Sequence, residues 1–291
     1  MGSPAGASRS TVARSSLRYA FALAFAHLLS VAEVLVVVVA LRGHTPDGAR
    51  FQPSYVSTAV LLAILCTLAV LAGGVVIIVR SLSWFIPGRL PTTAQRRTAM
   101  NLIRDQSLLL AATWAAGGSI FVLLDRDGGL GLAVATGLTV VLGGAAATGT
   151  GVLLSQRTVR PIVAAATRGC SDFAGFVTAP GVLARLISMW LLSSGLPSLA
   201  IAVLVIFRSN GWIVPATASV EIPVLVLSLV AVMLGWRGMI LVSRSIADPI
   251  REVVDAMAEI EHGRIGTSVD VYERSEIGRL QSGFNRMVAG L

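Results

Sequence analysis

The chain has 291 residues, 55% hydrophobic and 13% charged, with a mean hydropathy of +0.80. That composition excludes a soluble globular domain and fits a chain that crosses a membrane several times. The formal charge of +8 rests on 23 basic residues, all of them arginine; they flank apolar runs and form no separate basic domain, which argues against a nucleic-acid partner. Residues 1–18 read as a polar tail carrying Arg9, Arg14 and Arg18. Apolar runs then follow at Tyr19–Leu41, Val56–Val79, Leu108–Leu124, Leu130–Leu154, Leu186–Phe207 and Ile222–Val242. They predict six membrane helices in a domain spanning 19–242. The first run, at about 23 residues, is too long for a signal-peptide core, and the third, at about 17, is the shortest.

Orientation follows from the arginines. With the N-terminus inside, the inner segments hold Arg9, Arg14, Arg18, Arg80, Arg89, Arg96, Arg97, Arg104, Arg157, Arg160, Arg168 and Arg185. The outer segments hold Arg42, Arg50, Arg126 and Arg208. This asymmetry predicts a multi-pass protein with both ends cytoplasmic. The outer connections are too short for an extracellular sensory domain, so any sensing surface lies on the membrane helices or their outer ends.

Few intramembrane residues suggest chemistry. His27 and Glu33 lie inside the first run, where a charge costs about 2.5–3.5 kcal/mol on insertion scales, so both are candidates. Six residues apart, they face different ways. The plainer readings are a protonated Glu33 bonded to a neighbouring helix and a neutral packing histidine. Gly143, Ala147 and Gly151 form a small-residue ridge for close helix packing or a dimer contact. Pro197, after Gly195, predicts a kink, and Arg237 is expected to snorkel towards the headgroups. Cys66 sits within a span and Cys170 in an inner connection; no Cys/His spacing suggests a disulfide or metal site. No phosphate loop, metalloprotease motif or nucleophile elbow is present, so no catalytic residue, metal or cofactor is expected in this chain. A weak repeat links Ser155 with Pro161-Ile162 and Ser243 with Pro249-Ile250.

The last stretch, from Asp248 onward, changes character. It holds eight acids against five arginines, whereas the preceding 247 residues hold eighteen arginines against seven acids. Ile250, Val253, Met257 and Ile260 recur at heptad spacing, as do Ile277, Leu280, Phe284, Met287 and Leu291. These are two amphipathic helices that each need partners. The last membrane helix is expected to run through Ser243 into the first seam. It should bend or loosen at Pro249, which has no N–H for the carbonyl of Ser245.

Pro249-Ile250, Gly263, Glu276-Ile277-Gly278 and Phe284-Asn285-x-Met287 together resemble a HAMP domain, the linker that relays signals from membrane helices to bacterial cytoplasmic output domains. Ser275 stands where that family usually has aspartate. The resemblance implies an all-α protein: six transmembrane helices, then a HAMP segment at 243–291 that forms a parallel four-helix bundle in a homodimer. It implies a signal path through Pro249, Ile250, Val253, Met257, Gly263, Glu276, Ile277, Gly278, Leu280, Phe284 and Met287. Ile265 and Val269 would pin the connector to the bundle.

Six spans leading straight into HAMP, the stretch Arg185-Leu-Ile-Ser-Met-Trp190-Leu-Leu-Ser-Ser-Gly195-Leu-Pro197 and the arginine-only composition resemble the membrane half of actinobacterial, mycobacterial-type class III adenylyl cyclases. In that family a catalytic domain follows HAMP and uses ATP with Mg or Mn. The resemblance therefore implies a membrane anchor and regulatory module in a bacterial plasma membrane, with the lipid bilayer, a second copy and a downstream or separate output domain as partners. The alternatives are a receptor-like module for a kinase or chemotaxis partner, or a small-molecule transporter. A reporter fused after Leu291 is expected to read as cytoplasmic and one fused near Asp127 as external; the reverse pattern would reject this orientation.

Overall fold

The computed structural model describes residues 9–43, 53–82, 92–126, 129–167, 181–212, 219–264, 266–271 and 275–290. Among them the chain is helical throughout, with short connectors and no strand. The helices are α1 (Arg9–Gly43), α2 (Pro53–Leu82), α3 (Thr93–Leu124), α4 (Leu130–Thr167), α5 (Val182–Trp190), α6 (Leu196–Asn210), α7 (Glu221–Glu261) and α8 (Glu276–Ala289). A π-helical segment, Leu191–Gly195, joins α5 to α6. Six stretches are long and apolar enough to cross a membrane; α5, the π segment and α6 form one of them.

The expected spans are all present, and most are longer than the apolar runs. Apart from α7, whose continuation past its run was expected, the largest difference is α3, which starts at Thr93. Thr92 and Gln95 form a capping box there: the Gln95 N–H donates to Thr92 Oγ1 at 3.4 Å and the Thr92 N–H to Gln95 Oε1 at 2.9 Å. Arg96, Arg97, Arg104 and Asp105 interrupt the apolar run, yet Ala99, Leu102, Gln106 and Leu110 keep a buried helical stripe beneath them.

The expected kink before Pro197 takes the form of the π segment. Pro197 has no N–H and crowds the turn before it, and the backbone answers with a widened turn in which the Leu196 N–H donates to the carbonyl of Leu191. Pro161 and Pro249, by contrast, lie inside helices that run on past them, to Thr167 and Glu261.

Helices α1 to α4 form a bundle in which α1 packs on α2 and α4, and α3 on α2 and α4. Tyr19, Leu23, Ile78, Leu102 and Leu110 fill one half of its core; Val34, Val38, Trp114, Phe121 and Ala147 fill the other. The small-residue ridge of α4 serves this core. A Cβ at Gly143 would lie 2.3 Å from Val34 and 3.0 Å from Trp114, and one at Gly151 would lie 2.9 Å from Leu110. The outer faces are apolar, with Leu61, Leu65, Leu68 and Val76 exposed, as lipid contact requires.

Within a bilayer every polar group needs an internal partner. Most span hydroxyls donate to the carbonyl four residues earlier, as Thr67, Thr113, Thr139 and Thr148 do. The end of the bundle remote from α8 is closed by an ion pair that the sequence did not suggest. Arg42 reaches Asp125 through Nε at 2.9 Å and Nη2 at 2.6 Å; Thr136 donates to the other carboxylate oxygen, and the guanidinium lies 3.6 Å above the Tyr55 ring. The two charged side chains are 6% and 0% exposed. One cluster thus ties α1, α2, α3 and α4 together. Removing one partner of a buried pair leaves an uncompensated charge, so Asp125→Ala is expected to lower stability by about 3 kcal/mol. The double variant Arg42→Ala/Asp125→Ala should recover part of the loss, as read by thermal unfolding of the detergent-solubilised protein.

Candidate functional site

The helix α7 connects the membrane bundle to the C-terminal pair, and three contacts along it define the site. Its buried residues Leu234, Gly238, Val242, Ser245, Pro249, Val253 and Ala256 recur at steps of four, four and three. That spacing keeps one nearly straight stripe on a helix of 3.6 residues per turn. The stripe runs without interruption from the membrane into the C-terminal segment.

The first contact is within the membrane. Arg237 Nη1 donates to Glu33 Oε1 at 2.6 Å, and Nη2 lies 3.4 Å from Oε2. The side chains are 17% and 14% exposed. Arg237 therefore does not snorkel: it turns inward, because a carboxylate on α1 offers it a better partner than distant headgroups do. Each charge offsets the insertion cost of the other, and the pair ties α7 to α1. His27 points elsewhere, against Trp114 inside the α1–α4 bundle, so the two candidates on α1 do not form one site.

The second contact repairs the helix at Pro249. Without an N–H at residue 249, the carbonyl of Ser245 loses its helical partner. Arg185 of α5, itself buried, places Nη1 3.5 Å from that carbonyl. The expected loosening is thus met by a side chain from another span, and α7 remains helical through the proline. Nearby, Met189 of α5 lies so close to Gly238 that a Cβ there would come within 1.6 Å of its methyl group, so a larger residue at this crossing would require the Met189 side chain to move aside.

The third contact joins α8 to the membrane part. The Val182 N–H, in the first turn of α5, donates to Glu276 Oε2 at 3.1 Å. Glu276 thereby satisfies one of the free N–H groups at that helix end, where a carboxylate is also favoured by the helix dipole. Its carboxyl is held below the ordinary value of 4.5 by its own backbone N–H, by the Val182 N–H, and by Arg185 and Arg279.

The C-terminal pair has its own small core: Val253, Ala256, Val269, Phe284 and Val288, with Ile260 packed against it. Gly263 ends α7 at φ +85°, a left-handed turn that favours glycine. There the Gly263 N–H bonds the Ile260 carbonyl at 2.9 Å and the Arg264 N–H bonds that of Glu259 at 3.1 Å. Val269 anchors the connector, and Asn285 fixes it further: it accepts from the Val269 N–H at 2.9 Å and donates to the Val269 carbonyl at 2.8 Å. The sequence flagged Asn285 only as part of a motif; a polar residue between apolar seam positions was the available signal. Ser275 caps α8, accepting from the Ile277 N–H at 3.2 Å, which is the capping work an aspartate would do.

The seam residues separate into two sets. Val253, Ile277 and Phe284 are buried within the chain, as is Gly278. Ile250, Met257, Leu280 and Met287 are exposed. Ile265 lies outside the described residues.

Residues 241–291 match the HAMP domain family. This chain is a membrane protein that carries a HAMP domain. Over 220 residues it is 29% identical to an uncharacterized protein of Mycobacterium tuberculosis, an alignment covering 73% of this chain and 37% of that protein. A second uncharacterized protein of that organism is 36% identical over 113 residues, covering 39% and 21% respectively. An uncharacterized protein of Mycobacterium bovis is 29% identical over 216 residues, covering 72% and 39%. The chain thus spans well under half the length of these relatives. No solved structure matches it.

Because the folded value of the Glu276 carboxyl is depressed, its contact with α5 is fully present above the ordinary carboxylate range and is lost as pH falls through the lowered value. Exchange of the Val182 amide, taken relative to its intrinsic rate at each pH, is expected to be slow at neutral pH and to accelerate several-fold only on acidification below 4.5. Glu276→Gln should accelerate it at neutral pH, and high salt should weaken the contact.

Proposed function

We propose that this chain is the membrane anchor and signal-relay module of a class III adenylyl cyclase, working as a homodimer in a bacterial plasma membrane with both ends cytoplasmic. The observation that carries the reading is α7. One unbroken helix, with one unbroken buried stripe, runs from the membrane bundle into the HAMP core, so a tilt or rotation of the membrane part is delivered to the helix pair.

Dimerisation is supported by the exposed half of the seams. Ile250 and Met257 on α7, with Leu280 and Met287 on α8, form apolar rows that the chain itself leaves uncovered outside the membrane part. Two copies would bury them in a four-helix bundle. The greater length of the mycobacterial relatives supports an output domain beyond HAMP. ATP and Mg or Mn belong to that catalytic domain. A kinase or chemotaxis partner would use the same relay, whereas a transporter has no use for a membrane helix prolonged into a HAMP core.

A switch needs two packings within a few kcal/mol of each other and a ligand that favours one. The test is a fusion of a class III catalytic domain after Leu291, with nucleotide turnover measured in membranes. Pro249→Ala and Glu276→Ala are each expected to change basal turnover by about fivefold or more, while cysteines at Ile250 or Leu280 still crosslink two copies. Unchanged turnover in both variants would reduce the segment to a passive tether, and failure to crosslink at both positions would remove the dimer. If a kinase fused at the same point responds and the cyclase does not, the receptor-like reading replaces this one.

A further inference from the structure

The seam that opens the HAMP segment does not begin there. Ile250, Val253, Met257 and Ile260 alternate steps of three and four. The same alternation, carried backwards along α7 through Ile246 and Ser243, meets Met239, Trp236, Val232, Leu229, Leu225 and Ile222. All six are exposed, Trp236 at 72% and Met239 at 65%. They lie on the far side of α7 from the stripe through Leu234, Gly238 and Val242 that packs on its own chain. The helix is continuous across the boundary, and Pro249 does not interrupt it. Apart from Ser243, one face of one helix is therefore apolar from the bilayer into the cytoplasm.

Lipid can cover the membrane part of this row, but outside the membrane Ile250 and Met257 need another apolar surface. Because α7 runs on as one helix, the face that meets a partner at Ile250 is presented to the same partner within the bilayer. Strict alternation of three and four keeps such a face on its partner through left-handed supercoiling. Side-chain size follows the geometry of that approach. Ser243 is small where the apolar run ends. Two straight helices that cross there at roughly 20° are only about 4 Å farther apart at Trp236, a gap that tryptophan and methionine fill. Trp236 is also displaced from the bilayer surface, where tryptophan usually gathers: it lies about 9 Å inside the end of the run at Val242. Aromatic and methionine side chains are enriched where proteins meet one another.

We propose that a second copy of this chain docks along the membrane face of α7, so that one seam runs between the two copies of that helix from the HAMP pair up through the span, with Trp236 and Met239 as its widest side chains. The inference rests on the homodimer proposed above and extends it into the bilayer. The interface is isologous: a two-fold axis beside α7 brings each residue of the row against its own copy. The opposite side of the helix keeps its ties within the chain, with Arg237 on Glu33 and Gly238 against Met189. The helix that carries the signal out of the membrane is then also the helix on which the two chains meet.

The test uses the full chain in membranes at low expression, in a Cys66→Ala/Cys170→Ala background, with single cysteines and an oxidant. Leu229→Cys, Val232→Cys and Met239→Cys are expected to form dimers about tenfold faster than Leu65→Cys and Leu123→Cys, which are exposed on α2 and α3 and report random encounter. Val230→Cys, on the face of α7 turned towards α1, should stay uncrosslinked. Ile250→Cys, measured alongside, reads the HAMP contact by itself. If Ile250→Cys crosslinks while the three membrane positions only match Leu65→Cys and Leu123→Cys, lipid covers this face; the inference is overturned and the HAMP homodimer stands. If Ile250→Cys fails as well, the homodimer goes and the inference with it. Faster crosslinking at Leu65→Cys or Leu123→Cys than on α7 would place the second copy on another face and overturn the inference too.

Discussion

A lipid bilayer supplies no hydrogen-bond partners, and that constraint organises this protein. Helices satisfy their own backbone, so the difficulty falls on the few groups that helices cannot serve: charged side chains and the carbonyl opposite a proline. Each is answered from another helix. Glu33 of α1 meets Arg237 of α7, Arg42 of α1 meets Asp125 at the end of α3, and Arg185 of α5 meets the carbonyl that Pro249 leaves free. These polar contacts, scarce and directional, determine which helices are tied together. The apolar packing around them is permissive, because lipid solvates leucine and valine as well as a neighbouring helix does.

The consequence for signalling lies in how α7 is held. It is gripped within the membrane by Glu33 from α1 and, at Pro249, by Arg185 from α5, while Glu276 of α8 reaches back to the start of α5. The helix is therefore not a free rod: the span holding Arg185 touches both the joint at Pro249 and the carboxylate that opens α8. A shift of α5 relative to α7 would act on both helices of the HAMP pair. The π segment just beyond Met189 lies in the same span, where a widened turn permits small rearrangement at modest cost.

The seam residues show why a heptad pattern was only half informative. Within one chain, the buried stripe of α7 follows steps of four, four and three and passes through Ser245 and Pro249, which no apolar count would select. Ile250 and Met257 lie off that stripe and face outward. A pattern of apolar residues records every surface a helix must cover, in this chain and in any partner, without saying which is which.

Six spans, an all-helical fold and the HAMP segment were legible in the sequence because each rests on local or periodic information: run length, hydropathy, heptad spacing, and motif residues such as Gly263 and Glu276. The sequence also marked Glu33, since a charge within an apolar run stands out without any knowledge of its surroundings. What it did not yield was partnership. Arg237 lies 204 residues from Glu33, Asp125 lies 83 from Arg42, and Glu276 lies 94 from Val182. Such pairs depend on which helix faces meet, and that was decided only by tertiary packing: the close approach of α4 through Gly143 and Gly151, and the crossing of α5 and α7 at Gly238. Local chemistry names the elements; the geometry that brings distant charges within about 3 Å, a hydrogen-bond distance, belongs to the fold as a whole.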